Sequence, residues 1–384
     1  MTENKSEKTG DKKHGNKNKK KRNVLTKVLI IIGAIAIIIF GTITVLRVIG
    51  KHKLLGAVAG TGAGISLNNV EVIDLSPEMP EGAVSYNGIT YVPNNDVITI
   101  LVMGIDQWVV NPEEDDEDEN ESEDDGVISK TDRNYGGGQA DAMFLVIIDP
   151  HKKNMSVVAI NRNTMTDVDV FDENGDYLGI YTEQIGLQHG YGDGGPQSCE
   201  RQVYCVSRFF HGITINAYVA IKMDALPLLN DAIGGVTLTA IEDVPLNDRD
   251  DCTEFIRAGE TVTLTGDLVN SYIKYRTDEL NSNALRVARQ KQYILSYVSK
   301  AKTVMISNPA MAVDLYNTLS EYMVADIDLS TFTYMVTEYG GYTFDSENMY
   351  SPEGEAIIGN VFEEFYVSED SLEELIMKLY FEPW

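Results

Sequence analysis

Four basic side chains, Lys274, Arg276, Arg286 and Arg289, fall within sixteen residues of the stretch Tyr272 to Tyr293, YIKYRTDELNSNALRVARQKQY. Guanidinium groups are planar forks that match phosphate oxygens two at a time, so such a cluster has the makings of an anion site. A helix starting near Asn283 puts Arg286, Arg289, Gln290 and Tyr293 on one face, with Ala288 and Leu295 on another. Asn281, Ser282 and Asn283 offer capping oxygens, and the free N–H groups of a first turn would add to the attraction for a phosphate or pyrophosphate. The competing description is a solvated helix face with its ordinary complement of Lys and Arg. Tyr272, Ile273 and Tyr275, just before, read as a strand.

Two carboxylates and one further arginine stand at the ends of apolar runs. Val97 to Ile105 (VITILVMGI) reads as a buried strand ending at Asp106, either a site ligand or a polar turn residue. Ala140 to Asp149 and Met155 to Ile160 read as an antiparallel hairpin across the turn-forming Pro150 to Asn154. That pairing brings Asp141, at the start of one strand, to the same end as Arg162, just past the other. The pair is a plain salt bridge, or a metal ligand beside a phosphate clamp.

The elements around these residues alternate. Tyr181–Tyr191, Pro196–Phe210, Ala225–Ile233, Ala310–Tyr322, Leu329–Tyr339 and Ser371–Tyr380 read as helices, and the arginine-bearing helix should run to about Val304. Ala217–Met223 and Val236–Ile241 read as strands. The fold class is therefore α/β, a mixed central sheet covered by helices.

Residues 1–27 carry ten Lys or Arg against three acids and read as a disordered basic tail on the cytoplasmic side. Residues 28–46, VLIIIGAIAIIIFGTITVL, form a nineteen-residue uncharged run, long enough for one transmembrane helix. The excess of Lys and Arg before this run places the remainder outside the cell. Residues 47–96 read as a stalk with a small hairpin around Val84–Val92, residues 97–340 as the functional domain, and 341–384 as an acidic extension. The segment 112–125, dense in acids, reads as a solvated insert whose removal leaves the fold intact. The net charge is −28 overall and −35 beyond the basic tail, which argues against nonspecific nucleic-acid binding. His/Cys metal spacing is absent, as are GxSxG, a P-loop and HExxH, which argues against zinc protease, serine hydrolase and nucleoside triphosphatase chemistry. Cys199 and Cys205 lie too far apart on one helix to bridge; a disulfide from Cys252 to either stays open.

Taken in order, ITILVMGIDQ, QADAMFLVIIDP with MSVVAINRNT, AIKMDALPLLNDAIGGVTLT and YIKYRTDELNSNALRVARQKQ resemble the LytR-CpsA-Psr family of cell-wall glycopolymer ligases, from about residue 97 to 340. The resemblance implies a membrane-anchored phosphotransferase. It would move a glycan phosphate from a polyprenyl-pyrophosphate carrier to a peptidoglycan hydroxyl, with Mg²⁺, or Mn²⁺ in its place. Asp106 and Asp141 match the family's metal ligands, Arg162, Arg276, Arg286 and Arg289 its pyrophosphate arginines, and Gln290 the polar residue that follows; Lys274 stands where an arginine is usual. Arg162, Arg276 and Asp141 are the catalytic candidates. Gln139 and Asn163 also depart from the pattern, replacing an arginine and an aspartate. Arg133 is a candidate substitute for the lost arginine. These departures keep two other readings open, a non-catalytic binder of polyprenyl phosphates or glycans and a polyprenyl-pyrophosphate hydrolase.

Overall fold

The computed structural model describes residues 44–54, 65–67, 71–72, 81–106, 136–172, 174–246, 252–275, 282–308, 310–359 and 362–384. The basic tail, most of the apolar run 28–46, the acidic insert 112–125, Arg133 and Arg276 lie outside these residues. Among the described residues no helix is long and apolar enough to cross a membrane.

In chain order, helix α1 (residues 44–54) is followed by β1 (Glu71–Val72), β2 (Val84–Tyr86), β3 (Ile89–Pro93), β4 (Ile98–Asp106), β5 (Gln139–Asp149), β6 (Asn154–Ile160), β7 (Met165–Phe171) and β8 (Tyr177–Gln184). Next come α2 (Pro196–Phe209), β9 (Ala217–Lys222), α3 (Leu226–Ala232), β10 (Val236–Thr239), β11 (Val244–Pro245), β12 (Phe255–Ile256) and β13 (Thr261–Leu264). Then α4 (Leu268–Lys274), α5 (Ser282–Ser307), α6 (Ala310–Leu319), β14 (Met323–Ala325), α7 (Leu329–Tyr339), β15 (Met349–Tyr350), β16 (Gly354–Ile358), β17 (Glu363–Val367), α8 (Glu369–Tyr380) and β18 (Phe381–Pro383) complete the chain.

The central sheet has the order β14-β9-β4-β5-β6-β15 and is mixed: β4–β9 and β6–β15 are parallel, the other pairs antiparallel. Alternation along β4 decides what covers each face. Leu101, Met103 and Ile105 pack with α2 and α8 in the main core, whereas Ile98 and Ile100 face α7 on the opposite side. A second core of β10, β13, α4 and α5 abuts the end of the sheet that carries Gly104.

Three expectations are corrected. Tyr181–Tyr191 is not a helix: its first half is β8, paired with β7, and Ile185–Tyr191 is a single 3₁₀ stretch. The glycines at 186, 190 and 192 disfavour a longer helix. Tyr272 and Ile273 lie in α4 rather than a strand, because Val269, Tyr272 and Ile273 all face one core, a helical spacing. Described residues of the segments expected to be a stalk and an appended extension pack with the domain. The β2–β3 hairpin, turned at Asn87-Gly88 with both residues at positive φ, pairs through β3 with the C-terminal β18. Strand β15 joins the central sheet and α8 fills the main core.

Candidate functional site

The site grows out of an irregularity in the β4–β5 ladder. Gly104 pairs with Ala142 and Ile105 with Ala140, so Asp141 between them is an extra residue, a β-bulge. A bulge breaks the alternation and re-aims the side chain it carries. The Asp141 carboxylate consequently meets the guanidinium of Arg162, which donates from Nη1 to Oδ1. Antiparallel pairing of β5 and β6 carries Arg162 there, since Met143 faces Ile160 at the end of the hairpin. Gly186 lets the 3₁₀ turn close over the pair: its N–H donates to Arg162 O at 3.1 Å, and a Cβ there would meet Ala140 O at 2.9 Å. The two side chains keep 31% and 25% of their surface, so the ion pair contributes at most about 1 kcal/mol to stability.

Asp106 ends β4 opposite Gln139 and is exposed. Asp106 and Asp141 thus lie on neighbouring strands at the same sheet end, offering oxygen ligands only. Such a donor set fits Mg²⁺, which takes one or two carboxylates and fills its shell with water and phosphate oxygens.

An apolar cavity of about 130 Å³ opens beside the bulge, between the sheet and α5. Val102, Gly104, Ala142, Phe144, Met223 and Ile294 are among its lining residues, and Gln290 is its polar member on α5. A Cβ on Gly104 would come within 2.5 Å of Met223 Sδ, so a larger residue there displaces that side chain. Gln290 also donates to Ile273 O at 3.4 Å, bracing α5 against α4.

The other basic candidates are distributed differently. Arg289 is 1% exposed and turned away from the cavity, its Nε 3.0 Å from Glu242 Oε1 and its Nη2 donating to Tyr275 O. It lies against the rings of Tyr275 and Tyr272, so it secures the α4 C-terminus to α5. Arg286 is half-buried one turn earlier, and Lys274 is exposed at the end of α4. Asn163 is 7% exposed, with its N–H bonded to Asn161 Oδ1, and offers no base. Among the acids close by in sequence, Asp169 is paired with Arg208 at 3.0 Å, and Asp278 lies outside the described residues.

Sequence inspection missed a buried histidine–cysteine contact. His189 Nε2 is 3.8 Å from Cys199 Sγ, while His189 Nδ1 is 3.0 Å from Gly138 O. Burial pushes the Cys199 thiol up to about 12 and pulls the imidazole down, so both favour their neutral forms, the opposite of an activated thiolate. Cys199, Cys205 and Cys252 are all free thiols. At the far sheet end, His151 bridges Asp96 (2.9 Å) and Glu382 (3.2 Å), tying the β5–β6 turn to β18. Ten residues or more separate these partners, so no local motif announces them.

The LytR_cpsA_psr family model matches residues 69–379. Biofilm regulatory protein A of Streptococcus mutans is 26% identical over 51% of this chain and 46% of its own length, so the chain spans about half of that relative. A protein named polyisoprenyl-teichoic acid–peptidoglycan teichoic acid transferase TagU, from Bacillus cereus, is 23% identical over 66% of this chain and 76% of its own. Among solved structures, B. subtilis TagV superposes with a TM-score of 0.53 at 20% identity, covering 74% of this chain and 95% of that one. The Streptococcus agalactiae protein gbs0355 superposes with a TM-score of 0.54 at 17% identity, covering 74% and 86%. At these identities the two structures establish the fold alone.

Proposed function

The chain belongs to the LytR_cpsA_psr family, and from that premise we propose that it transfers a glycopolymer phosphate from a polyprenyl-pyrophosphate carrier to a peptidoglycan hydroxyl at the outer face of the membrane. The observation that carries this reading is the Asp141–Arg162 ion pair set on a β-bulge whose neighbours Gly104 and Ala142 line an apolar cavity. A lipid pyrophosphate needs both environments side by side, hydrocarbon for the isoprenoid and charge for the phosphates. The cavity is about the size that holds a single small ring, so a longer isoprenoid enters by displacing mobile side chains such as Met223.

In the proposed reaction the acceptor hydroxyl oxygen attacks the phosphorus that carries the glycan. The bond from that phosphorus to the bridging oxygen breaks, polyprenyl monophosphate leaves, and the hydroxyl proton is released. Arg162, with Arg276, Arg286 and Lys274, neutralises the charge on the transferring phosphoryl group. Gln290 orients a phosphate oxygen at the cavity rim. Mg²⁺ on Asp106 and Asp141 would supply further neutralisation of the pyrophosphate. Arg289, committed to Glu242, holds the arginine-bearing helix in place.

Membrane anchoring by residues 28–46 is part of the same proposal. Helix α1, which continues from that run, lies on α7: Arg47 pairs with Glu338, Lys53 pairs with Asp328, and Leu54 is 2% exposed. Gly50 permits the approach, since a Cβ would overlap Ser330 O. An α1 held this way seats the domain close to the bilayer, where its donor resides.

The test is release of polyprenyl phosphate from a polyprenyl-pyrophosphoryl oligosaccharide. Release that needs Mg²⁺, rises with peptidoglycan fragments and disappears in Arg276→Ala supports the transferase. Release indifferent to acceptor makes the protein a hydrolase, and lipid retention without release makes it a binding protein.

A further inference from the structure

A second cavity, of about 400 Å³, opens on the other side of the β4–β9 edge. Part of its wall is polar, made by the backbone of Gly136–Gly138 with Asp193, Glu321 and Tyr322, and Ile105, Ala220, Met323 and Val324 add apolar surface. The three glycines form this wall because they pack against the 185–194 turn. Gly137 N donates to Gly190 O at 3.1 Å, and a Cβ on Gly137 would fall 2.4 Å from His189 O. Gly138 in turn lies against Asp106, where a Cβ would meet the Asp106 backbone oxygen at 2.9 Å. The polar cleft therefore runs up to a candidate metal ligand.

Among the described residues lining the apolar cavity and the polar cleft, Lys222 is common to both. It is the last residue of β9, paired in parallel register with Ile105, the residue before Asp106. Gln139 faces Asp106 from the opposite strand, whereas Lys222 on β9 is level with Ile105, one residue before Asp106. The Lys222 backbone is fixed by its N–H bond to Tyr322 O at 2.9 Å, while its side chain is exposed.

We infer that Lys222 contacts the donor's pyrophosphate, and that the polar cleft beside it is a carbohydrate subsite for the first sugar attached to that pyrophosphate. This rests on the function proposed above. A polyprenyl-pyrophosphoryl sugar is apolar at one end, doubly anionic in the middle and hydroxylated at the other. A molecule of that design laid across the sheet end puts hydrocarbon beside Gly104 and Met223 and hydroxyl groups beside Asp193, Glu321 and the glycine backbone. Its charge then falls at the junction, which Lys222 occupies. An ammonium there also supplies, as a point charge, the positive charge that Gln139 does not. Carboxylates and exposed peptide groups suit sugar hydroxyls, which both donate and accept.

The test is equilibrium binding to the full-length protein in nanodiscs, with a synthetic polyprenyl pyrophosphate either bare or carrying one N-acetylhexosamine. Lys222→Ala should weaken both probes about tenfold or more, and Lys222→Arg should restore most of the loss. Glu321→Ala should weaken only the glycosylated probe. Lys222 is exposed, so its variants should melt with the wild type. Wild-type binding that Lys222→Ala leaves unchanged overturns the phosphate contact, and equal effects of Glu321→Ala on both probes overturn the carbohydrate subsite. A wild-type protein that binds neither probe overturns the proposed function itself.

Discussion

Asp141 is the extra residue of a β-bulge, and its Oδ1 accepts a hydrogen bond from Nη1 of Arg162, a residue brought alongside by the antiparallel hairpin. A half-buried pair of this kind adds little to stability, yet it holds a carboxylate and a guanidinium in fixed relation at the end of the sheet. Asp141→Asn and Arg162→Ala should each lower the rate of polyprenyl phosphate release about 100-fold or more, with melting temperatures close to wild type. The double variant should lose less than the product of the single losses, because the two groups act as a unit. Steady-state release rates and thermal melts check this together; unfolding of either single variant would assign the pair to the fold instead.

Arg289 is 1% exposed and Glu242 is its carboxylate partner at 3.0 Å. Glu242→Gln leaves a buried guanidinium without a counter-charge, and should cost about 3 kcal/mol in denaturant unfolding. Loss of this brace should also loosen α4 from α5, measured as faster amide exchange over residues 268–275. A variant with an unchanged unfolding midpoint would show that Tyr275 O and water suffice to hold Arg289.

His151 gives stability a pH dependence with a defined sign. Hydrogen bonding to Asp96, then to Glu382, raises its folded pKa, so its contribution is complete below the unfolded value of about 6.5 and is lost as pH rises through the folded value. The melting temperature lost in His151→Gln should therefore be larger at about pH 5.5 than at about pH 9. Asp149 works in the opposite direction. Burial pushes its carboxyl up, but the Lys152 and His151 N–H groups and the Lys152 ammonium outweigh that and hold it below its usual range. Its contribution is present above the unfolded value and fades as pH falls through the folded one, so Asp149→Asn should cost most at neutral pH. A pH-independent difference for either variant would mean that these groups do not titrate on unfolding.

Gly104 controls the apolar cavity. Gly104→Val puts a Cβ within 2.5 Å of the position of Met223 Sδ, which forces that side chain to move, and should lower affinity for long-chain polyprenyl phosphates about tenfold. Binding of inorganic pyrophosphate should not change. Equal weakening of both ligands would show that the substitution disturbs the charged site rather than the hydrocarbon pocket.

Periodicity sufficed for the elements whose cores are local. The hairpin β5–β6, helices α2, α3 and α7, and strand β9 were readable within a residue or two, because each buries a regular face. The same hairpin was enough to bring Asp141 and Arg162 to one end. Where glycine density or a short helix set the outcome, periodicity failed: TEQIGLQHGY splits between a strand and a 3₁₀ turn, and SYIK is helical although its aromatic and β-branched residues favour strands.

Residue types along the chain determined a mixed α/β protein and named Asp106, Asp141, Arg162, Lys274, Arg276, Arg286, Arg289 and Gln290 as candidates for its site. Tertiary structure decided how the described members of that inventory are used. Arg289 and Gln290 are adjacent in sequence, yet 100° of helical rotation sends one to Glu242 and the other to the cavity. Only strand register reveals that Gln139 pairs with Asp106 and Lys222 with the preceding Ile105. Only the closure of β18 on β3 draws the two ends of the domain into one fold. These are contacts between residues far apart in sequence, fixed by the packing of whole elements, and no short window of sequence contains them.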